Sequence, residues 1–224
     1  MLPFTVDDFF SVFAAYNRAI WPAQVVAYAL GLVALAAAWK GGVWGRRVAA
    51  IVLGVFWLWN GAIYHFAFFA QINPAAYAFA ALFLMQGLLF LCVAGVASDR
   101  LFPNPPTAGW RRSVALGLIA YAAVVYELLS HLQGHGWPHA PILGVAPCPT
   151  TIFTIGILIL LGQPQPIWLV AIPLVWAVIG STAAVLLAVR EDLALLAAAI
   201  LAAALLPAWP ARQKTPSRLV GCKS

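Results

Sequence analysis

Seven apolar stretches, each parted from the next by a short run of Gly, Pro or charged residues, leave this chain few folds to choose from. A helix that crosses a bilayer needs about 20 mostly apolar residues. Residues 21–39, 48–70, 75–97, 114–132 and 167–189 meet that length, and 148–162 and 193–209 follow the same pattern with less margin. The breaks fall at 40–47, 71–74, 98–106, 133–147, 163–166 and 190–192. The expected fold is all-α: a polytopic integral membrane bundle of seven transmembrane helices, preceded by a short interfacial amphipathic helix. Its parts are residues 1–20, the N-terminal interfacial helix on the outside; 21–209, the seven-helix transmembrane domain; and 210–224, a basic cytoplasmic tail. Six spans remain the alternative, with the last stretch lying on the surface.

Composition closes the other routes. The chain is 64% hydrophobic and 8% charged, whereas a soluble domain is about 45–50% apolar and about 25% charged. So few charges cannot cover the surface of a soluble enzyme, and the chain is too apolar to be disordered. The basic residues are too scattered for a nucleic-acid interface. Cys92, Cys148 and Cys222 have no paired spacing, which excludes a disulfide scaffold.

The basic residues set orientation. With seven spans, ten fall on one side (Lys40, Arg46, Arg47, Arg100, Arg111, Arg112, Arg212, Lys214, Arg218 and Lys223) and two on the other (Arg18 and Arg190). The expectation is therefore an N-terminus outside and a C-terminus in the cytoplasm. Trp21, Trp39, Trp110, Trp168 and Trp209 stand near span ends as interfacial anchors.

Before the first span, Thr5 and Asp8 make a capping-box pattern, and Phe9, Phe13, Tyr16 and Ile20 follow at helical spacing. This segment reads as an amphipathic helix in the outer interface. Anchoring is its plain role; covering an outer-face site is the sharper one.

Polar groups inside a bilayer are costly, so their positions carry information. Glu127 is the one acid within an expected span, and His65 and His131 are the histidines there. At about 1.5 Å per residue, His65 and Glu127 both lie roughly 7–8 Å below the outer boundary. Glu127 and His131 share a helix face, with Ser130 beside them. His135, His139 and Cys148 fall on the same side, with Tyr64, Gln24 and Asn73 at the border. These residues fit three roles. As a solute or proton site, Glu127, His131, His65, Ser130, Tyr64, Gln24 and Asn73 would supply a buried carboxylate with titratable and polar partners. As a metal site, His65, Glu127, His131, His135, His139 and Cys148 offer zinc or copper ligands. Against this, Gly134, Gly136 and Pro138 break any single helix carrying His131, His135 and His139. As a structural cluster, the same groups would pin helices together. Cys148, flanked by Pro147 and Pro149, opens a helix, where the dipole favours a thiolate.

Residues 57–77 (WLWNGAIYHFAFFAQINPAAY), together with 4–10 (FTVDDFF), 21–24 (WPAQ) and 148–154 (CPTTIFT), are similar to a family of small bacterial multi-pass membrane proteins of unknown function. The resemblance covers nearly the whole chain. It implies a bacterial inner-membrane protein and carries no catalytic residues. The leading expectation is an outer-facing His/Glu/Cys pocket that binds or translocates a small solute, proton or metal ion. The alternatives are a metal-dependent membrane-embedded hydrolase or oxidoreductase, or a non-catalytic membrane subunit. The bilayer is the first partner, with a second copy or a membrane subunit open as others, and nucleic acid is not among them.

Overall fold

Thr5 starts the first helix as its spacing from Asp8 predicts. The Thr5 hydroxyl accepts from the Asp8 amide at 3.2 Å, and the Asp8 carboxylate accepts from the Thr5 amide at 2.9 Å. Two amides that a helix start leaves unpaired are thereby closed, and the bonds from Thr5 hold the Asp8 carboxyl below its ordinary pKa. The computed structural model describes residues 3–95, 109–162, 165–187 and 189–206, and among these the chain is helical with no strand. The helices are α1 (Val6–Ala19), α2 (Ala23–Lys40), α3 (Gly42–Gln71), α4 (Ala76–Gly95), α5 (Gly109–Leu132), α6 (Pro147–Leu161), α7 (Ile167–Leu187) and α8 (Leu193–Leu205). A 3₁₀ turn, Arg190–Asp192, joins the last two.

Five of these, α2, α3, α4, α5 and α7, are long and apolar enough to cross a membrane. The other two expected spans are shorter, with 15 residues in α6 and 13 in α8. They reach only about 20–23 Å against a hydrocarbon core of about 30 Å. Residues 96–108 and 207–224 lie outside the described residues, and with them Arg100, Trp209, Cys222 and the expected basic tail.

The break expected over 40–47 is narrower in the structure. Gly41 and Gly42 take φ of 67° and 68°, a conformation that costs glycine little. That is enough to reverse the chain, and α3 begins at Gly42 with Arg46 buried. Trp39 and Trp44, with Arg112 and Arg47 over their rings, cluster at this end of the bundle.

α6 is the central helix. Apart from Cys148, every one of its residues is buried, as expected of a helix that is apolar all round. α2, α3, α5, α7 and α8 pack around it. Small residues bring backbones together where helices meet. A Cβ on Gly87 of α4 would stand 2.6 Å from Leu58 Cγ of α3, and one on Gly156 of α6 would stand 3.0 Å from the Ala115 carbonyl of α5.

Two deep polar residues repair the backbone. Pro173 lies inside α7 and has no N–H for the Leu169 carbonyl one turn earlier. Gln86 of α4 supplies the missing donor through Nε2, at 3.0 Å. The segment 140–147 is buried throughout without being helical before Pro147. Non-helical backbone at such depth has to be satisfied by protein. Asn17 donates to the Pro138 and Ala140 carbonyls at 2.7 and 2.8 Å, Tyr16 to the Val145 carbonyl at 2.6 Å, and Asn60 to the Gly144 carbonyl at 3.0 Å. Asn17 and Tyr16 belong to α1, so this loop docks α1 across one end of the bundle. Phe10 of α1 packs on Leu187 and Val189 there.

Candidate functional site

Under α1 lies a cavity of about 140 Å³. Phe9 and Phe13 of α1 form its roof, and Phe69, Phe79 and Trp176 give further aromatic walls. Its polar lining is Tyr64, His65, Asn73, Cys148, Thr182 and Asp192.

α3 is not a regular helix where it meets this cavity. Residues Asn60–Phe68 form a π-helical stretch, whose wider turn shifts the side chains it presents; such stretches are frequent at functional sites. Tyr64 and His65 lie within it, both buried. α5 has its own π stretch, Tyr121–Val125, directly before Tyr126.

His65 is fully buried, and neither Nδ1 nor Nε2 has a hydrogen-bond partner. Its ring sits among Tyr64, Phe69, Phe79, Phe83 and Trp176, with centroids at 4.7 to 6.1 Å. Trp176 Nε1 is likewise buried, with the Cys148 thiol as its hydrogen-bond partner. The two rings are neighbours, 5.0 Å apart and nearly perpendicular. Other buried side chains with an unpaired oxygen, Gln24, Asn60, Gln86 and Gln165, each bond through their amide nitrogen. On His65 neither ring nitrogen is paired. An unpaired buried donor or acceptor costs about 1–3 kcal/mol, so His65 is a costly group in a purely structural core.

The acids at the site come from the 190–192 turn, which the sequence marks only as a charged break. Glu191 and Asp192 are both buried. Ser130 donates to Glu191 Oε1 at 2.5 Å and Gln133 to Oε2 at 2.7 Å, so α5 clamps this carboxylate away from the cavity. Asp192 faces the cavity and accepts from the Tyr126 hydroxyl. Burial pushes the Asp192 carboxyl up to about 7; the Tyr126 hydroxyl and the neighbouring Cys148 thiol pull the other way, and Glu191 pushes up again. Asp192 therefore sits where it changes protonation near neutral pH.

The residues expected to form one outer cluster are divided. His65, Tyr64, Asn73 and Cys148 line the cavity. Glu127 and His131 line a separate open groove with Trp137, and Glu127 accepts from the Tyr28 hydroxyl at 2.8 Å. Equal depth did not fix direction around the helix axis. α5 turns Tyr126 and Ser130 inward, and one residue further along is about 100° away, so Glu127 and His131 face outward. Gln24 donates to the Asn17 carbonyl at 2.8 Å, and Ser130 to Glu191. His135 stacks on Phe10 with centroids 3.8 Å apart, and His139 is half-buried in the loop. α5 ends at Leu132 and Gly134 takes φ of 86°, so His131, His135 and His139 share no helix. Among the described residues no three His, Cys, Asp or Glu side chains converge as a metal ion would need.

Sequence reasoning missed Asp192, Glu191, Trp176 and Tyr126. A signal for the two acids was present: they lie in a turn on the same expected side as Cys148, in a chain with only six acids. Nothing in the spacing marks Trp176, which stands mid-helix in an apolar run.

No curated protein and no solved structure matches the chain. Residues 6–215 match the model of a family of unknown function, DUF6064. The match takes in α1, the described bundle and every residue of the cavity except Phe4, and the chain belongs to that family.

Proposed function

We propose that this protein is a seven-helix protein of the bacterial inner membrane that binds a small neutral solute in the cavity beneath α1. The observation that carries the reading is the cavity itself, a space of about 140 Å³ in which aromatic walls meet the polar side chains of Asn73, Cys148 and Asp192. In this reading α6 and α8 complete the spans, and α1 lies in the outer interface as the cover of the site. Charge supports the orientation: Arg18 and Arg190 flank the cavity end, whereas Lys40, Arg46, Arg47, Arg111 and Arg112 belong to the other end. Asp192, rather than Glu127, is then the carboxylate whose protonation accompanies binding.

Equilibrium dialysis of a panel of small neutral solutes against the reconstituted protein tests the binding. Wild type retains at least one of them, and Ile179→Trp, which fills the cavity, does not. Equal retention by both, or none by wild type, sinks the reading. Labelling of single-cysteine variants tests the orientation: Arg190→Cys reacts with an impermeant reagent from outside and Arg111→Cys does not. The reverse pattern would overturn it.

A further inference from the structure

We infer that the solute is a compact lipophilic amine, an aliphatic base the size of a single ring, which enters uncharged and takes the proton of Asp192 to sit among aromatic rings as an ammonium–carboxylate pair. The inference rests on the proposed binding function and names its ligand class. Three observations lead to it.

The first is a buried carboxyl without a cation. Asp192 lines the cavity, and none of the described Lys or Arg does. The groups that face it are Tyr126, Cys148 and Glu191, two donors and a second acid. A carboxylate accepts about four hydrogen bonds, and the Tyr126 hydroxyl and the Cys148 thiol supply two of them. Asp192 keeps 4% exposure, whereas His65 has none. Buried charges are ordinarily paired, and the space left for a partner here is the cavity. An anion would meet the acid, and an alcohol or ether would leave the carboxylate charge unbalanced. A metal ion would lack ligands, because among the described residues no three His, Cys, Asp or Glu side chains converge.

The second is wall chemistry. Phe9, Phe13, Tyr64, Phe69, Phe79 and Trp176 line the space. Ring faces attract an ammonium within about 6 Å, and Trp does so most strongly. An aromatic box with one acid in its wall favours an organic ammonium over a hydrated inorganic ion.

The third is size and access. About 140 Å³ compares with the roughly 150 Å³ of an engineered apolar cavity that takes up benzene. One six-membered ring fits this space. The cavity also reaches the exposed flank of α7 at Thr182 and Leu186. An uncharged amine reaches that flank from the bilayer, and an ammonium ion does not. Burial keeps the Asp192 carboxyl partly protonated near neutral pH, so the two partners meet uncharged. The nitrogen lone pair then forms an N–H bond as the Asp192 O–H bond breaks. The proton only changes owner, and the two charges appear together and in contact, so neither is buried alone.

The test uses the full chain reconstituted in lipid, with piperidine, tetrahydropyran, cyclohexane and tetramethylammonium as probes and protein-free vesicles subtracted. The first three are six-membered rings that differ at one ring position. Wild type is expected to hold piperidine about tenfold more tightly than tetrahydropyran or cyclohexane. Asp192→Asn has no acidic proton to give and loses that preference. Phe9→Leu removes one ring from the roof and narrows it several-fold. If one variant fails to fold, as judged by its melting temperature, the other still reports. Equal binding of piperidine and tetrahydropyran, tighter binding of tetramethylammonium than of piperidine, or an unchanged piperidine preference in the folded variants overturns the inference. If tetrahydropyran or cyclohexane binds as well as piperidine, and Ile179→Trp abolishes that binding, the amine assignment falls while the binding function stands. If no probe binds above vesicles, both fall.

Discussion

The Tyr126 hydroxyl donates a hydrogen bond to the Asp192 carboxylate across 66 positions of sequence. That bond joins the last turns of α5 to the turn between α7 and α8 and fixes the one carboxylate that, among the described residues, lines the cavity. Asp192 has its pKa raised from 3.8 to about 7, with Tyr126, Cys148 and Glu191 the groups that face it. Between those values the folded protein binds more protons than the unfolded chain. Stability therefore falls as pH rises from about 4 to about 7, and levels off above. Asp192→Asn should remove that slope. Melting temperatures in detergent between pH 4 and 8 check it; a slope equal to wild type would show that another group titrates.

His65→Phe should hold or raise the melting temperature. It replaces an imidazole with no partners by a ring of similar shape, relieving a cost of about 1–3 kcal/mol. A loss of several degrees in thermal unfolding would mean that His65 has partners in the protein that this structure does not place there.

Asn17→Ala should destabilise the protein by about 2–3 kcal/mol, because the Pro138 and Ala140 carbonyls lose their donor. Limited proteolysis would register it as faster cleavage within α1 and the 133–146 loop. Unchanged protection would separate α1 docking from these bonds.

Gly87→Leu should fail where Gly95→Leu is tolerated. A Cβ at position 87 meets Leu58 at 2.6 Å, while one at position 95 meets nothing within 4 Å. Forcing α3 and α4 apart costs about 1–3 kcal/mol or more. Thermal unfolding of the two variants reads the difference directly.

Glu127→Gln should leave ligand retention unchanged and alter stability by no more than about 0.5 kcal/mol. Its side chain is half-exposed, and Tyr28 donates equally well to an amide oxygen. A loss of retention in the dialysis assay would return the binding site to the Glu127 groove.

How far the sequence carries depends on what periodicity can encode. The apolar runs gave the helices, Thr5 and Asp8 gave the start of α1, and Gly134 gave the end of α5, because each is a local preference. The gathering of polar residues at one end was legible too, since depth follows from counting along a helix. Direction around the axis was not: it depends on two π stretches and on which neighbours a helix finds. For that reason His65 and Glu127, matched in depth, face different cavities. Asn17 and Asn60 hold loop carbonyls, a role set by a buried loop that no spacing announces. Asp192 was hidden by its place in a turn, where an acid is ordinarily solvated.

α1 is made well before the segment it rests on. Phe10 waits for Leu187 and Val189, and the cavity has no carboxylate until Asp192 has been added. At about 5–20 residues per second, roughly ten to forty seconds of synthesis separate the two. Through that interval Phe10 lacks the apolar surface it packs on in the finished fold. The seat of α1 and the cavity it covers therefore form only after residue 192 has been added.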